Sequence, residues 1–161
     1  TASGLLSTQL GAGKYQINVI SEGYIYYQNI IDYSSLGDTV QVALQPIKKD
    51  VKVIIHNVFF ELNRAEMKPE SELALIDLHQ FLVKNPDVKI HIIGHTDNTG
   101  SASYNMELSK NRAKAIYDSI AKRGIDLSRL SYEGKGASEP VATNETEEGR
   151  AANRRVEFIV K

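Results

Sequence analysis

The stretch Gly94-His95-Thr96-Asp97-Asn98-Thr99-Gly100-Ser101-Ala102-Ser103-Tyr104-Asn105-Met106-Glu107-Leu108-Ser109-Lys110-Asn111-Arg112-Ala113 decides the fold. Just before it, Val88, Ile90 and Ile92 alternate with Lys89 and His91, the period of a strand with one buried face. The polar run 94–100 then reads as a turn-rich loop. From Ser101 the period lengthens, and the spacing predicts a helix over 101–123 that buries Met106, Ala113, Ile116 and Ile120 and stops at Gly124. A strand that feeds a helix through a polar loop is the repeating unit of an α/β protein.

Working outward, Val53–Leu62 reads as an earlier apolar strand carrying Phe59 and Phe60. Pro69 suits the first position of a helix over 69–84, in which Leu75, Leu78 and Leu82 mark an apolar stripe that ends at Asn85-Pro86. Leu130–Glu133 and Arg155–Val160 read as the last two strands. The predicted order β-α-β-α-β-β implies an α/β (α+β) two-layer sandwich: a mixed sheet with helices on one face, over 54–161. The first 47 residues have a different texture. Leu5–Leu10, Tyr15–Ile20, Tyr26–Tyr33 and Thr39–Leu44 read as strands broken by glycine turns, a partial all-β sandwich unit. Residues 48–53 would be the linker, because Pro46 ends a strand and Lys48 and Lys49 favour solvent.

Composition narrows the functions available. Nineteen basic residues against twenty acidic ones give a net charge of −1, so a polyanion such as nucleic acid is not the expected partner. A neutral or zwitterionic ligand is easier to accommodate. The absence of cysteine excludes disulfides, thiolate nucleophiles and cysteine-ligated metals. No apolar run approaches a membrane span, and a chain opening on Thr1-Ala2-Ser3 reads as a piece of a longer protein whose signal peptide or lipid anchor would lie upstream.

The candidate site follows from the loop and the helix after it. Loops at the carboxyl ends of strands, facing helix N-termini, are where such folds hold ligands. Asp97 lies in that loop. Asn105 and Arg112 are seven residues apart, hence about 20° from each other around a helix axis, with Leu108 between them. An amide, a leucine and a guanidinium therefore stand beside a carboxylate. Gly94-His95-Thr96-Asp97-x-x-Gly100, then Asn105-x-x-Leu108-Ser109-x-x-Arg112-Ala113, then Gly134-x-Gly136-x-x-x-Pro140 and Asn144-x-Thr146-x-x-Gly149-Arg150-x-x-Asn153-Arg154-Arg155-Val156-Glu157 together resemble the OmpA-like C-terminal domain family, which includes peptidoglycan-associated lipoproteins and flagellar stator proteins.

That resemblance implies non-catalytic binding of the diaminopimelate-containing stem peptide of peptidoglycan, in the periplasm and in association with the outer membrane. Asp97 would accept from the ammonium of the diamino acid and Arg112 would clamp a carboxylate of the same residue. A zwitterion needs one anionic and one cationic partner, and charge-assisted bonds are the strong ones. Asn105 would orient the loop or touch the peptide, and Thr96 and Phe60 would line the pocket. Where many relatives carry Phe-Asp-x-Asp this chain has Phe60-Glu61-Leu62-Asn63, which leaves at best an amide contact at the fourth place. The N-terminal strands resemble the end of a carboxypeptidase regulatory-like β-sandwich domain. Beside an OmpA-like domain, that combination is similar to outer-membrane lipoproteins of the type IX secretion machinery, which implies envelope protein partners as an alternative main function.

Plainer roles compete with each of these. Asp97 alone would be a turn or helix cap, and Arg112 alone a solvated charge or an ion-pair partner of Asp97. Arg150, Arg154 and Arg155 are expected to tie a loop to the sheet, with Glu145, Glu147 and Glu148 neutralising them. His91 and His95 have no carboxylate pair at local ligand spacing, so neither a metal nor a cofactor is expected. Gly11-Ala12-Gly13-Lys14 lacks the Ser or Thr and the flanking elements of a phosphate loop and reads as a turn. An amidase or peptidase is disfavoured because no nucleophile, base and orienting group fall together.

Overall fold

The structure, a computed structural model, describes residues 11–33 and 40–161. Two strands, β1 (Gly13–Val19) and β2 (Tyr27–Tyr33), pair antiparallel as a hairpin. The remainder runs β3 (Lys52–Ile54), α1 (Glu72–Lys84), β4 (Ile90–Gly94), α2 (Ala102–Lys122), β5 (Leu130–Gly134), α3 (Glu147–Asn153) and β6 (Val156–Val160). The four later strands form one mixed sheet in the order β3-β6-β4-β5, with β4 and β5 parallel and the other pairs antiparallel.

Strand alternation sorts the sheet into two faces. Val53, Ile90, Ile92, Leu130, Val156, Phe158 and Val160 point toward the helices, where Leu75, Leu78, Phe81 and Leu82 of α1 and Ala113, Ile116 and Ile120 of α2 complete the core. The opposite face carries Lys52, His91, Ser131, Glu133 and Glu157. The sequence therefore folds into the expected mixed α/β arrangement. Helix α1 begins as foreseen, with Pro69 opening a 3-10 turn (Pro69–Ser71) that runs into it.

Several expectations are corrected. The run Val53–Leu62 is not one strand: pairing stops at Ile54, and Ile55 makes a last bond to Val156 O. Asn57 adopts a left-handed φ of 60°, which turns the chain out of the sheet. The backbone of Phe59 is then satisfied by the buried hydroxyl of Ser71, which accepts from its N–H (2.8 Å) and donates to its C=O (2.9 Å). Met106 is 47% exposed, because the buried stripe of α2 runs instead through Asn105, Ser109, Ala113, Ile116 and Ile120. That stripe can start on polar residues because the helix backbone lies against glycines of the sheet: a Cβ on Gly94 would overlap the Ser109 carbonyl, and one on Gly134 the Lys110 amide. Helix α3 was not foreseen. Thr146 caps it by accepting from Gly149 N at 3.1 Å.

In the N-terminal part, the strand expected over Leu5–Leu10 lies outside the described residues, as does Thr39. Residues 40–44 form no strand; the segment is held by an isolated bridge between Tyr24 and Pro46 and by Ile25 N–H donating to Gln45 O. Proline has no N–H with which to extend that ladder. Tyr26 packs its ring against Phe81 and Phe158, at centroid separations of 5.7 and 6.3 Å, so this segment shares the core of the later strands. The hairpin also contacts α1 through Asp77, which accepts from Asn18 Nδ2 at 2.6 Å and from Gln28 Nε2 at 3.3 Å.

Candidate functional site

Strands β4 and β6 are hydrogen-bonded neighbours, with Gly94 opposite Val156. The loop that leaves β4 and the segment that enters β6 therefore emerge side by side, which brings Asp97 to Arg154. Arg154 Nη1 donates to Asp97 Oδ2 at 2.8 Å, and its Nη2 donates to Glu147 Oε1 at 2.7 Å. Thr99 N–H donates to Asp97 Oδ1 at 2.9 Å. Burial pushes the Asp97 carboxyl up, but the Arg154 guanidinium and the Thr99 donors outweigh it and hold the pKa below the usual carboxylate value. Asp97 is thus an ionised, largely buried anion with both oxygens engaged and lone-pair capacity to spare.

Asn105, 3% exposed, fixes the loop from below: its Nδ2 donates to the carbonyls of Asp97 (3.2 Å) and Thr99 (3.1 Å). Thr96 is buried too; its N–H donates to Gly136 O, while its hydroxyl has no partner among the described residues. Leu108 is half-buried on α2.

Arg112 lies one wall away. Its Nε donates to Arg64 O at 3.1 Å and its guanidinium carbon stands 5.1 Å from the centre of the Phe60 ring. Burial lowers its pKa, with the positive charge of Arg154 acting in the same direction and the negative charge of Asp97 opposing it. Its two terminal amino groups have no acceptor among the described residues, and no ion pair joins it to Asp97. A groove of about 580 Å³ opens between these groups, lined by Val58, Phe59, Phe60, Lys68, Glu70, Arg112, Ala151 and Arg154.

Of the six residues singled out from the sequence, Phe60 and Arg112 line the groove directly. Asp97 is linked to it through Arg154, whereas Thr96, Asn105 and Leu108 are not among its lining residues. Asn63, at the fourth place of the Phe60 motif, is exposed with a φ of 56° and gives its carbonyl to the Tyr104 hydroxyl. Arg150 and Arg155 do tie loops to the sheet and to α3, through Asn144 O and Glu139 O. Arg154 ties the Asp97 loop to α3 through Asp97 and Glu147, as expected of a loop-holding arginine, and it also lines the groove, a position the sequence did not single out.

The arrangement offers a free guanidinium edge on an aromatic wall and a second guanidinium braced by the buried anion Asp97 and by Glu147.

Comparison with known proteins agrees with this architecture. Residues 59–154 match the family model described as the OmpA family. The chain is 39% identical over 128 residues to Outer membrane protein A of Bordetella avium, a match that spans 76% of this chain and 66% of that protein. It is 47% identical over 75 residues to the peptidoglycan-binding protein ArfA of Mycobacterium bovis, spanning 47% of this chain and 23% of that one. The chain therefore spans 66% or less of the length of either relative. The solved structure of the cell wall anchor of the T6SS from Pseudomonas aeruginosa superposes with a TM-score of 0.59 at 33% identity, over 68% of this chain and 78% of that chain. With well over half of its length inside the matched pattern, and with the same fold, the chain belongs to the OmpA family.

Proposed function

We propose that this chain binds the diaminopimelate-containing stem peptide of peptidoglycan, without turning it over, and so anchors an outer-membrane-associated protein to the cell wall from the periplasm. The observation that carries the proposal is the pairing, across one groove, of the uncommitted Arg112 guanidinium edge with the Arg154–Asp97 couple. Arg112 offers parallel N–H donors to a carboxylate. An ammonium finds its counter-charge at Asp97, whose oxygens have remaining lone pairs, with Arg154 swinging toward Glu147 or toward a ligand carboxylate as it enters. Two of the similar proteins, a peptidoglycan-binding protein and a cell wall anchor, support the same ligand class.

Retention on purified sacculi tests the proposal. The wild-type chain is expected to co-sediment with sacculi, and the Asp97→Ala plus Arg112→Ala double variant to lose most of that retention. Equal retention of the two would remove the site assignment. Release of soluble muropeptides during incubation would instead indicate an enzyme.

A further inference from the structure

On the sheet face turned away from the helices, directly behind the binding loop, three side chains converge that the groove does not use. His95 follows β4 immediately and is 1% exposed; neither of its ring nitrogens has a hydrogen-bond partner among the described residues. Glu157, the second residue of β6, is 4% exposed, and its Oε1 is likewise without one. Glu139 reaches in from the loop after β5. The three offer ligand atoms that all lie within 4.8 Å of one another.

We propose that His95, Glu139 and Glu157 form a binding site for a divalent transition-metal ion of the zinc class. A buried imidazole and a buried carboxylate oxygen that face each other without a well-formed hydrogen bond are costly, because the ring N–H and the free lone pairs stay unsatisfied until something engages them. His95 Nε2 and Glu157 Oε1 stand 3.4 Å apart. Two ligands held at zinc bond lengths of roughly 2.0–2.2 Å in a tetrahedron are separated by about that distance. Glu139 has a side chain 41% exposed, free to close the remaining gap, and water completes the set. One imidazole and two carboxylates favour zinc-class ions over magnesium or calcium, which prefer all-oxygen cages. Arg155 Nε holds Glu157 Oε2 at 3.3 Å, which orients the carboxylate with Oε1 toward His95.

Two lysines compete for the same carboxylates. The Lys52 ammonium lies 3.6 Å from both Glu139 Oε2 and Glu157 Oε1, and the Lys135 ammonium 3.7 Å from Glu139 Oε1, all beyond hydrogen-bond length, with the Lys52 side chain 55% exposed. A divalent ion doubles the charge offered to the same carboxylates and adds the bond to His95. Lys52 can move into solvent when the ion enters.

The test titrates the chelator-treated 161-residue chain with zinc chloride, read by calorimetry and by thermal unfolding. One equivalent is expected to bind and to raise the melting temperature in a zinc-dependent way. His95 is too buried for its loss to separate binding from folding, so the decisive variants are at the half-exposed positions. Glu139→Gln should weaken binding at least tenfold, and Lys52→Met should tighten it severalfold. His91→Ala, which removes the separate His91–Glu133 pair, should leave it unchanged. No zinc-dependent shift in the wild type, wild-type affinity in Glu139→Gln, no gain in Lys52→Met, or loss of binding in His91→Ala would each overturn the proposal.

Discussion

Replacing Arg154 by methionine removes the cation that Asp97 leans on while keeping most of the side-chain volume. Asp97 is then left with its side chain 11% exposed and Oδ2 facing nothing but the altered site. A hydrogen bond to a charged group contributes about 1.5–3 kcal/mol, and because the Arg154 side chain is 37% exposed, solvent screening holds the loss to the lower end, about 1–2 kcal/mol at neutral pH. The Glu147 arm adds little, since that carboxylate stands in solvent. In a domain of this size each kcal/mol is about 2–4 °C in melting temperature. The pH dependence identifies the cause. The folded pKa of Asp97 is depressed, so its stabilisation is present in full above the unfolded value of about 3.9 and is lost as pH falls through the folded one. Urea unfolding should therefore show the full difference between wild type and Arg154→Met at pH 7 and a difference that shrinks progressively as the pH is lowered below about 3.9 and through the depressed folded pKa. A difference that does not shrink over that acid range, or a coupling energy near zero in the double-mutant cycle with Asp97→Asn, would refute the argument.

Ser71→Ala leaves the Phe59 N–H and C=O without their shared hydroxyl in a fully buried position; an unfolding free energy lower by about 1–3 kcal/mol is expected from denaturant titration, with the groove wall at Phe59 and Phe60 loosened in hydrogen exchange. Gly134→Ala would press a methyl onto the Lys110 amide and the Ser109 hydroxyl, so α2 must shift; a loss of about 1–3 kcal/mol in the same assay is expected, along with weaker sacculus retention because Asn105 and Arg112 travel with the helix.

What could be read from the sequence depended on which residues announce themselves. The leucines at 75, 78 and 82, the alternation through Ile90 and Ile92, and the opening proline at 69 are apolar or stereochemical signals, and the elements they mark are where they were expected. Met106 misled because a stripe drawn through apolar residues ignores a helix whose first buried turns are Asn105 and Ser109, set against glycines 40 and more residues apart in the fold's pairing. Helix α3 carries no apolar stripe at all and is held by a cap and by Asn153, whose Oδ1 accepts from the N–H groups of Val141 and Ala142. In the site, Asp97 and Arg112 stood out through motif spacing. Arg154 did not, because its partner is 57 residues away and the glutamates just before it offered a sufficient local explanation. The gathering of His95 with Glu139 and Glu157 is invisible for the same reason: it depends on the β4–β6 register and on the path of the loop after β5.

That register also fixes how the molecule would carry load. The groove lies beyond Gly94 and Val156, at one end of the β4–β6 pair, whereas the chain enters β3 at Lys52, opposite Ile159, at the other end. Tension between a wall peptide held in the groove and the residues before β3 is therefore directed along the strands. The β3–β6 rungs are strained together in shear and not opened one after another like a zipper. With a wall peptide bound as proposed, a three-residue strand that looks too short to matter would share that load with the Tyr26 contacts to the core and the hairpin contacts to α1.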